Sequence, residues 1–145
     1  MNTTEPLRIV LDTNILVAII GRKSPFRWIF DAIIRGDIAL CVTTEILLEY
    51  REIMGRKNGD EVAENVLNFI TVMPTTERFE IYYAFTFIEN DPDDNKFVNC
   101  AIAANAQFLV SNDRHYEPLK QIDFPVVNWI TLPAFEQQFK HKFIA

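Results

Sequence analysis

The chain has 145 residues, of which 49% are hydrophobic and 12% aromatic, and this is enough apolar material for one packed core. Its 14 Lys and Arg residues against 20 Asp and Glu residues give a formal net charge of −6. This charge excludes a general basic surface for nucleic acid, so a nucleic-acid partner would be approached through metal ions or through local basic patches at 22–27 and 51–57.

Neither export nor membrane insertion is indicated by the sequence. The N-terminal stretch 1–6 lacks the basic start and long apolar segment of a signal peptide, and the apolar run 9–20 is interrupted by Asp12. Cys41 and Cys100 lie among apolar residues without a metal-binding spacing. We therefore expect a cytoplasmic protein with two reduced cysteines in its core.

The first part of the chain alternates short apolar runs with amphipathic segments. Residues 9–11 and 38–42 are apolar and partly β-branched, which predicts buried strands at 8–12 and 38–42. Between them, Ser24 and Pro25 have the residue types that begin a helix, and Gly36 is of the type that ends one. A strand, a helix and a second strand are therefore expected in this order.

Two further helices are predicted in the middle of the chain. Thr43 or Thr44 can cap the first, whose apolar positions continue to a break at Gly55 and Gly59. The second covers 60–73 and stops at a proline.

The second part of the chain continues the alternation. It contains, in order, an undecided stretch at 75–87, a helix that begins at Asp93 or Asp94, strands at 107–111 and 125–128, and a final helix capped by Thr131. Strands that alternate with helices indicate a parallel sheet covered on both sides. We therefore predict a single α/β domain over 1–145, a three-layer α/β/α sandwich with a mostly parallel central sheet.

Three carboxylates fall where such a sheet collects its ligands. Asp12 follows the first strand, Asp113 follows the strand at 107–111, and Asp94 begins a helix. The carboxyl ends of parallel strands share one edge of the sheet, and a helix N-terminus favours negative charge. We expect these three side chains to lie near that edge.

Helical geometry adds a fourth candidate. At about 100° per residue, Glu49 lies at the border of the apolar stripe of its helix, whereas Glu45 and Glu52 face water. The same projection places Asp94 within the apolar stripe of its own helix. Both carboxylates therefore point toward the interior, where an unpaired charge is costly.

Each acid taken alone is most often explained by an Arg, Lys or backbone partner. We nevertheless expect the four acids to have no basic partner, because mutual repulsion between them would be relieved by a shared divalent cation. Carboxylate oxygens favour Mg²⁺ or Mn²⁺, whereas the scarcity of His and Cys argues against zinc.

The ordered motifs resemble those of PIN domains, and in particular the PIN-domain toxin components of bacterial toxin–antitoxin systems. The likeness covers nearly the whole chain and is carried by Ile9-Val10-Leu11-Asp12-Thr13-Asn14, Thr44 with Glu49, Asp91-Pro92-Asp93-Asp94-Asn95-Lys96-Phe97, and Leu109-Val110-Ser111-Asn112-Asp113.

The resemblance implies metal-dependent cleavage of RNA phosphodiester bonds. It implies that the catalytic, metal-binding acids are Asp12, Glu49, Asp94 and Asp113. It further implies that Asn14 and Ser111 support the site through hydrogen bonds, and that an antitoxin protein is a partner.

Two positions depart from the pattern that the resemblance implies. Asn99 stands where relatives often carry an acid, and His115 stands where an aspartate commonly follows the final acidic residue. These departures keep open the alternative of an inactive PIN-like scaffold that binds RNA or protein.

Two other functions follow from particular residues. A phosphotransferase that used Asp12 as its nucleophile would resemble haloacid-dehalogenase-like enzymes, but these have a second aspartate where this chain has Asn14.

An aromatic group could cover a homodimer surface or an antitoxin groove, and it consists of Phe79, Tyr82, Tyr83, Phe85 and Phe87.

Overall fold

The computed structural model describes residues 5–144, which form a parallel sheet of five strands flanked by helices. Residues 1–4 and 145 lie outside this range, and so does most of the N-terminal stretch from which the absence of a signal peptide was inferred.

The strands are β1 (Leu7–Leu11), β2 (Ile38–Val42), β3 (Glu77–Arg78), β4 (Phe108–Val110) and β5 (Trp129–Ile130). The α-helices are α1 (Thr13–Ile20), α2 (Arg27–Arg35), α3 (Thr44–Asn58), α4 (Asp60–Val72), α5 (Asn95–Ala104) and α6 (Leu132–Phe143). Two 3₁₀ segments cover Pro92–Asp94 and Arg114–Gln121.

The sheet has the order β3-β2-β1-β4-β5, and every pairing between neighbouring strands is parallel. All five residues of β2 are buried, and because successive side chains of a strand point to opposite faces, both faces of the sheet are covered there. Helix α2 packs on β2, and α5 packs across β1, β2 and β4. The predicted α/β/α sandwich is confirmed.

The beginning of the chain contains a helix that the sequence did not reveal and a helix start that it misplaced. Helix α1 has apolar residues on all sides, so it shows no amphipathic period. Helix α2 begins at Arg27 instead of at Ser24. The Ser24 hydroxyl accepts a hydrogen bond from the Phe26 backbone (3.1 Å) and donates one to the carbonyl of Ala18 (2.6 Å), and thus stabilises a turn.

Three boundaries in the rest of the chain also differ from the prediction. Helix α3 is capped by Thr43, as expected, but it continues through Gly55 to Asn58. The undecided stretch at 75–87 contributes only the two residues of β3. The last strand is not at 125–128, because its pairing with Leu109 and Val110 selects Trp129–Ile130.

The two cysteines are buried and free, as predicted. Burial raises the pKa of the Cys41 thiol to about 11 and that of Cys100 to about 12, so both are protonated core residues. None of the helices in residues 5–144 is both long and apolar enough to span a lipid bilayer.

The strand order reverses at the central strand β1. The strands β2 and β3 are added on one side of it, and β4 and β5 are added on the other. Ligands of open α/β sheets bind beyond the strand ends at such a point. Here the backbone N–H of Asp12 donates to the carbonyl of Val110 (3.1 Å), and the Tyr50 hydroxyl donates to the carbonyl of Leu11 (2.6 Å). These bonds join the ends of β1 and β4 to α3.

Candidate active site

Asp12 lies at the end of β1 with its side chain buried. Burial raises the pKa of this carboxyl group above its usual range, and the charges of Glu49 and Asp113 add to the rise. The Ser111 hydroxyl opposes it by donating a hydrogen bond of 2.6 Å to Asp12 Oδ2, and the backbone amide of Asn14 acts in the same direction. The carboxylate is thus oriented by neutral donors, and no Lys or Arg among residues 5–144 pairs with it.

Asp94 is the second buried carboxylate of the site and is only 8% exposed. Burial raises its pKa to about 6, together with the charges of Asp91, Asp12 and Asp113. Its Oδ2 atom is buried and accepts no hydrogen bond. An acceptor without a partner in the interior is unusual, and it marks a place that a cation or donor from outside the chain would complete.

Four side chains meet around this oxygen, and we call them the acidic cluster: Asp91, Asp94, Asp113 and His115. One donor atom from each lies within 4.8 Å of the donor atoms of the other three. The Nδ1 atom of His115 is 3.1 Å from Asp113 Oδ1 and 3.5 Å from Asp94 Oδ2, without a hydrogen bond to either.

Local turns bring the members of the acidic cluster together. The Asp94 N–H donates to the carbonyl of Asp91 (3.0 Å), and in a 3₁₀ turn residues three apart lie on the same side. Asp113 donates its N–H to the Ser111 hydroxyl (3.0 Å) and accepts from the His115 N–H (2.9 Å). The Ser111 hydroxyl thereby bonds both to the Asp12 side chain and to the backbone of Asp113.

Glu49 has a different environment, which we call the Lys96 network: Glu49, Asp93 and Lys96. The Lys96 ammonium group is 2.6 Å from Glu49 Oε1 and 2.7 Å from Asp93 Oδ1, and its side chain is only 7% exposed. Burial acts to lower the pKa of Lys96, but the hydrogen bonds and charges of Asp93 and Glu49 outweigh it, and the pKa is raised. The Thr13 hydroxyl also donates to Glu49.

The expectation that none of the four acids has a basic partner is therefore wrong for Glu49. Lys96 is distant from Glu49 in sequence, and only the packing of α5 beside α3 makes it a neighbour. For Asp12, Asp94 and Asp113 the expectation agrees with the structure, since no Lys or Arg within residues 5–144 forms an ion pair with them.

The two residues expected to support the site have different environments. Ser111 is buried and bonds to Asp12, as described above. Asn14 is exposed, and its side-chain oxygen accepts from Lys57 at 3.4 Å, so its backbone amide, not its side chain, acts on Asp12.

Asn99, one of the two departures from the PIN pattern, has a structural role. Its side-chain amide accepts from the Phe85 N–H (2.7 Å) and donates to the Phe85 carbonyl (3.1 Å), which ties the segment at 79–87 to α5. This bonding accounts for an amide at this position.

Four residues near the acids were not assigned by the sequence: Asp91, Lys96, His115 and Tyr116. The Tyr116 hydroxyl is buried without a hydrogen-bond partner, and burial raises its pKa, as do the charges of Asp12, Asp94 and Asp113. Asp91 and His115 could have been found from their spacing, three residues from Asp94 and two from Asp113. Lys96 lies in a motif that carries the resemblance, but nothing in the sequence indicated that it pairs with Glu49, and nothing indicated Tyr116.

The residues present fit a divalent metal ion. Asp94 supplies a buried oxygen without a partner, and the neighbouring donors are carboxylate oxygens and one imidazole nitrogen. Hard divalent cations prefer such oxygens, and the imidazole adds a ligand that transition ions accept.

Comparison with known proteins assigns the chain to a family. A family model described as the PIN domain matches residues 8–115. The chain belongs to the PIN domain family. PIN domains are generally nucleases, and the chain has an acidic cluster at the edge of the sheet where the functional sites of such folds lie.

The fold also resembles that of a solved structure. A chain in the crystal structure of VapBC2 from Rickettsia felis, bound to a DNA fragment from its promoter, matches with a TM-score of 0.56 and 18% identity. The alignment covers 86% of this chain and 98% of the other. No curated protein matches the sequence.

Proposed function

We propose that this PIN domain is a metal-dependent endoribonuclease that hydrolyses RNA phosphodiester bonds. Asp12, Asp94 and Asp113 would hold one or two Mg²⁺ or Mn²⁺ ions. The observation that carries the proposal is the buried Asp94 Oδ2, which has no hydrogen-bond partner and lies among other acids that no Lys or Arg neutralises.

When bound, a divalent ion supplies hydroxide by lowering the pKa of its water, and it neutralises charge on the phosphate oxygens. The side chains of this protein orient the site. Ser111 fixes the Asp12 carboxylate, and the His115 N–H fixes Asp113. Lys96 neutralises charge on Glu49 and Asp93 and so reduces the repulsion that an approaching phosphate meets.

Glu49 has a narrower role in this proposal than the three aspartates. Because its Oε1 is already paired with Lys96, we propose that it completes the site through water instead of binding the ion directly. Its charge still acts on the site, since it contributes to the raised pKa of Asp12.

The choice of a nuclease rests on membership of the PIN family, and the choice of RNA rests on the resemblance of the motifs to those of PIN-domain toxins. Lys57, which contacts Asn14 just after Asp12, could contact the substrate backbone. Three other cations of the two basic patches are paired with acids of the same surface: Arg27 with Asp31, Arg51 with Glu64, and Arg56 with Glu52.

Replacement of Asp12 by Asn tests the nuclease proposal. We expect Asp12→Asn to abolish Mn²⁺-dependent cleavage of a labelled RNA while circular dichroism and thermal unfolding show an intact fold. Glu49→Gln should lower the rate less. The matched control is Asp37→Asn, because Asp37 precedes β2 at the opposite edge of the sheet and pairs with Arg35 at the surface.

Equal cleavage by wild type and Asp12→Asn would contradict the proposal. RNA binding without cleavage by the wild type, in the presence of Mn²⁺ or Mg²⁺, would instead support the inactive scaffold.

We further propose an antitoxin as the partner, on the basis of the resemblance to PIN-domain toxins and of the similar fold in the VapBC2 assembly. A groove of about 720 Å³ offers a surface for it. The groove is lined by aromatic residues that include the exposed Tyr82, Tyr83 and Phe124.

Replacement of both exposed tyrosines tests this surface. We expect Tyr82→Ser with Tyr83→Ser to weaken binding of the protein encoded beside this chain's gene, measured by calorimetry, while Val72→Ser, at an exposed apolar position of α4, leaves it unchanged. A homodimer of the isolated chain that dissociates in the double variant, measured by light scattering, would assign the groove to self-association instead.

A further inference from the structure

The imidazole of His115 points into the carboxylates of the acidic cluster. Its Nδ1 atom is buried, accepts and donates no hydrogen bond, and lies 3.1, 3.5 and 3.8 Å from oxygens of Asp113, Asp94 and Asp91. A neutral imidazole with its proton on Nε2 presents a lone pair at Nδ1. That lone pair would then face the same space as the carboxylate oxygens.

These separations agree with donors that share one ion. Ligand atoms at about 2.1 Å from an ion lie about 3 Å apart at right angles and about 4.2 Å apart across it. The four donor atoms of the cluster lie within 4.8 Å of one another, so shifts of a few tenths of an ångström would bring them around one centre. Asp94, buried and with a free Oδ2, would form the inner side of that centre.

From this geometry we propose that His115 is a metal ligand through Nδ1, that Asp91 joins Asp94 and Asp113 as its carboxylate partners, and that the site selects a first-row transition ion such as Mn²⁺ over Mg²⁺. This inference rests on the proposed function and assigns the ligands and metal preference of the same site. Imidazole nitrogen is a ligand that transition ions accept more readily than Mg²⁺ does.

The ligand set also differs from the four acids that the sequence indicated. Glu49 is paired with Lys96 and is not a direct ligand in this proposal. His115 and Asp91 are ligands instead. Backbone bonds already hold the new ligands, since the His115 N–H donates to Asp113 and the Asp94 N–H donates to the carbonyl of Asp91. Little rearrangement is therefore needed to bind the ion.

The test uses the fact that the chain has two histidines, His115 and His141. Pulsed EPR of Mn²⁺ bound to the tag-free full chain detects coupling to a nitrogen ligand without any activity measurement. We expect an imidazole nitrogen coupling in the wild type that is absent in His115→Gln and retained in the matched control His141→Gln, where the histidine lies in the last turn of α6.

Affinity provides the second readout. We expect His115→Gln to weaken Mn²⁺ binding about tenfold or more, as loss of a metal-site residue does, and to change Mg²⁺ binding much less. Asp91→Asn should weaken Mn²⁺ binding as well, whereas the control Asp37→Asn, which removes a surface carboxylate paired with Arg35, should not.

Bound Mn²⁺ without nitrogen coupling, or coupling that persists in His115→Gln, would overturn the inference, and so would equal loss of Mn²⁺ and Mg²⁺ affinity in that variant. Absence of Mn²⁺ binding by the wild type would overturn both this inference and the proposed nuclease. Nitrogen coupling in a protein that does not cut RNA would overturn the nuclease alone.

Discussion

The acidic cluster and the Lys96 network lie beside each other near the same edge of the sheet, and they solve the same electrostatic problem in opposite ways. In the Lys96 network a buried ammonium group pairs with two carboxylates of the chain and offsets part of their charge. In the acidic cluster the carboxylates meet one another and an imidazole, and the pKa of Asp94 rises to about 6. An acid with a basic partner in the chain is already stabilised, whereas acids without one repel each other until a bound cation relieves the repulsion.

Removal of the Lys96 charge should have the largest effect on stability, because it leaves the carboxylates of Glu49 and Asp93 without a basic partner, like those of the acidic cluster. We expect Lys96→Met to lower the free energy of unfolding by about 2 to 3 kcal/mol, somewhat less than for a fully buried pair because Glu49 keeps some contact with water. Urea unfolding at pH 7.5 without metal measures the change.

The double variant Lys96→Met with Glu49→Gln is the control for this effect, since it removes the charge that Lys96→Met leaves unpaired. It should recover part of the lost stability. A Lys96→Met variant as stable as the wild type would show that the ion pair does not hold α5 and α3 together.

Removal of the Asp94 charge should act in the opposite direction. Because burial and neighbouring acids raise the pKa of Asp94 from 3.8 to about 6, the folded state binds the proton more tightly than the unfolded state. The free energy of unfolding therefore falls as the pH rises from about 4 to 6, and the loss is complete above that range. We expect metal-free Asp94→Asn to be more stable than the wild type at pH 7.5 by on the order of 1 to 2 kcal/mol.

Urea unfolding of both proteins between pH 4 and pH 8 measures this difference. The gap between the two curves should widen from about pH 4 to about pH 6 and then level off, and Asp37→Asn should not reproduce it. A variant less stable than the wild type at pH 7.5 would mean that the Asp94 carboxylate is stabilised in the fold, which would contradict the role of an unpaired acid.

The smallest effect is expected at an exposed ion pair, which shows what charge pairing contributes without burial. Arg56 and Glu52 are one turn apart on α3, and both side chains are exposed. We expect Arg56→Gln to change the free energy of unfolding by less than about 0.5 kcal/mol. A loss comparable to that of Lys96→Met, measured by the same urea unfolding, would mean that burial is not what separates the two pairs.

Local sequence signals were sufficient to predict properties that depend only on the residues of a single helix or strand. The apolar run of β2 predicted a strand buried on both faces, and the Thr43 hydroxyl caps α3 as expected. Helical periodicity also predicted that Asp94 is buried and that Glu49 is half-buried at the border of the core. These properties depend on spacing along one helix or strand, which the sequence contains directly.

Boundaries that depend on partners distant in sequence were harder to predict. The position of β5 is selected by its pairing with β4, and the turn at Ser24 depends on a carbonyl six residues before it. Helix α1 carries apolar residues even at its exposed and partly buried positions, Ala18 and Val17, so no period marks it.

The sequence by itself determined the family motifs, the alternation of strands and helices, and the presence of acids at the edge of a parallel sheet. The tertiary structure decided which of these acids remain without a basic partner. Lys96 neutralises Glu49 and leaves Asp94 with Asp91, Asp113 and His115. The reason is physical, because the energy of a charge depends on the groups within a few ångströms of it, and folding brings together residues that are far apart in the chain.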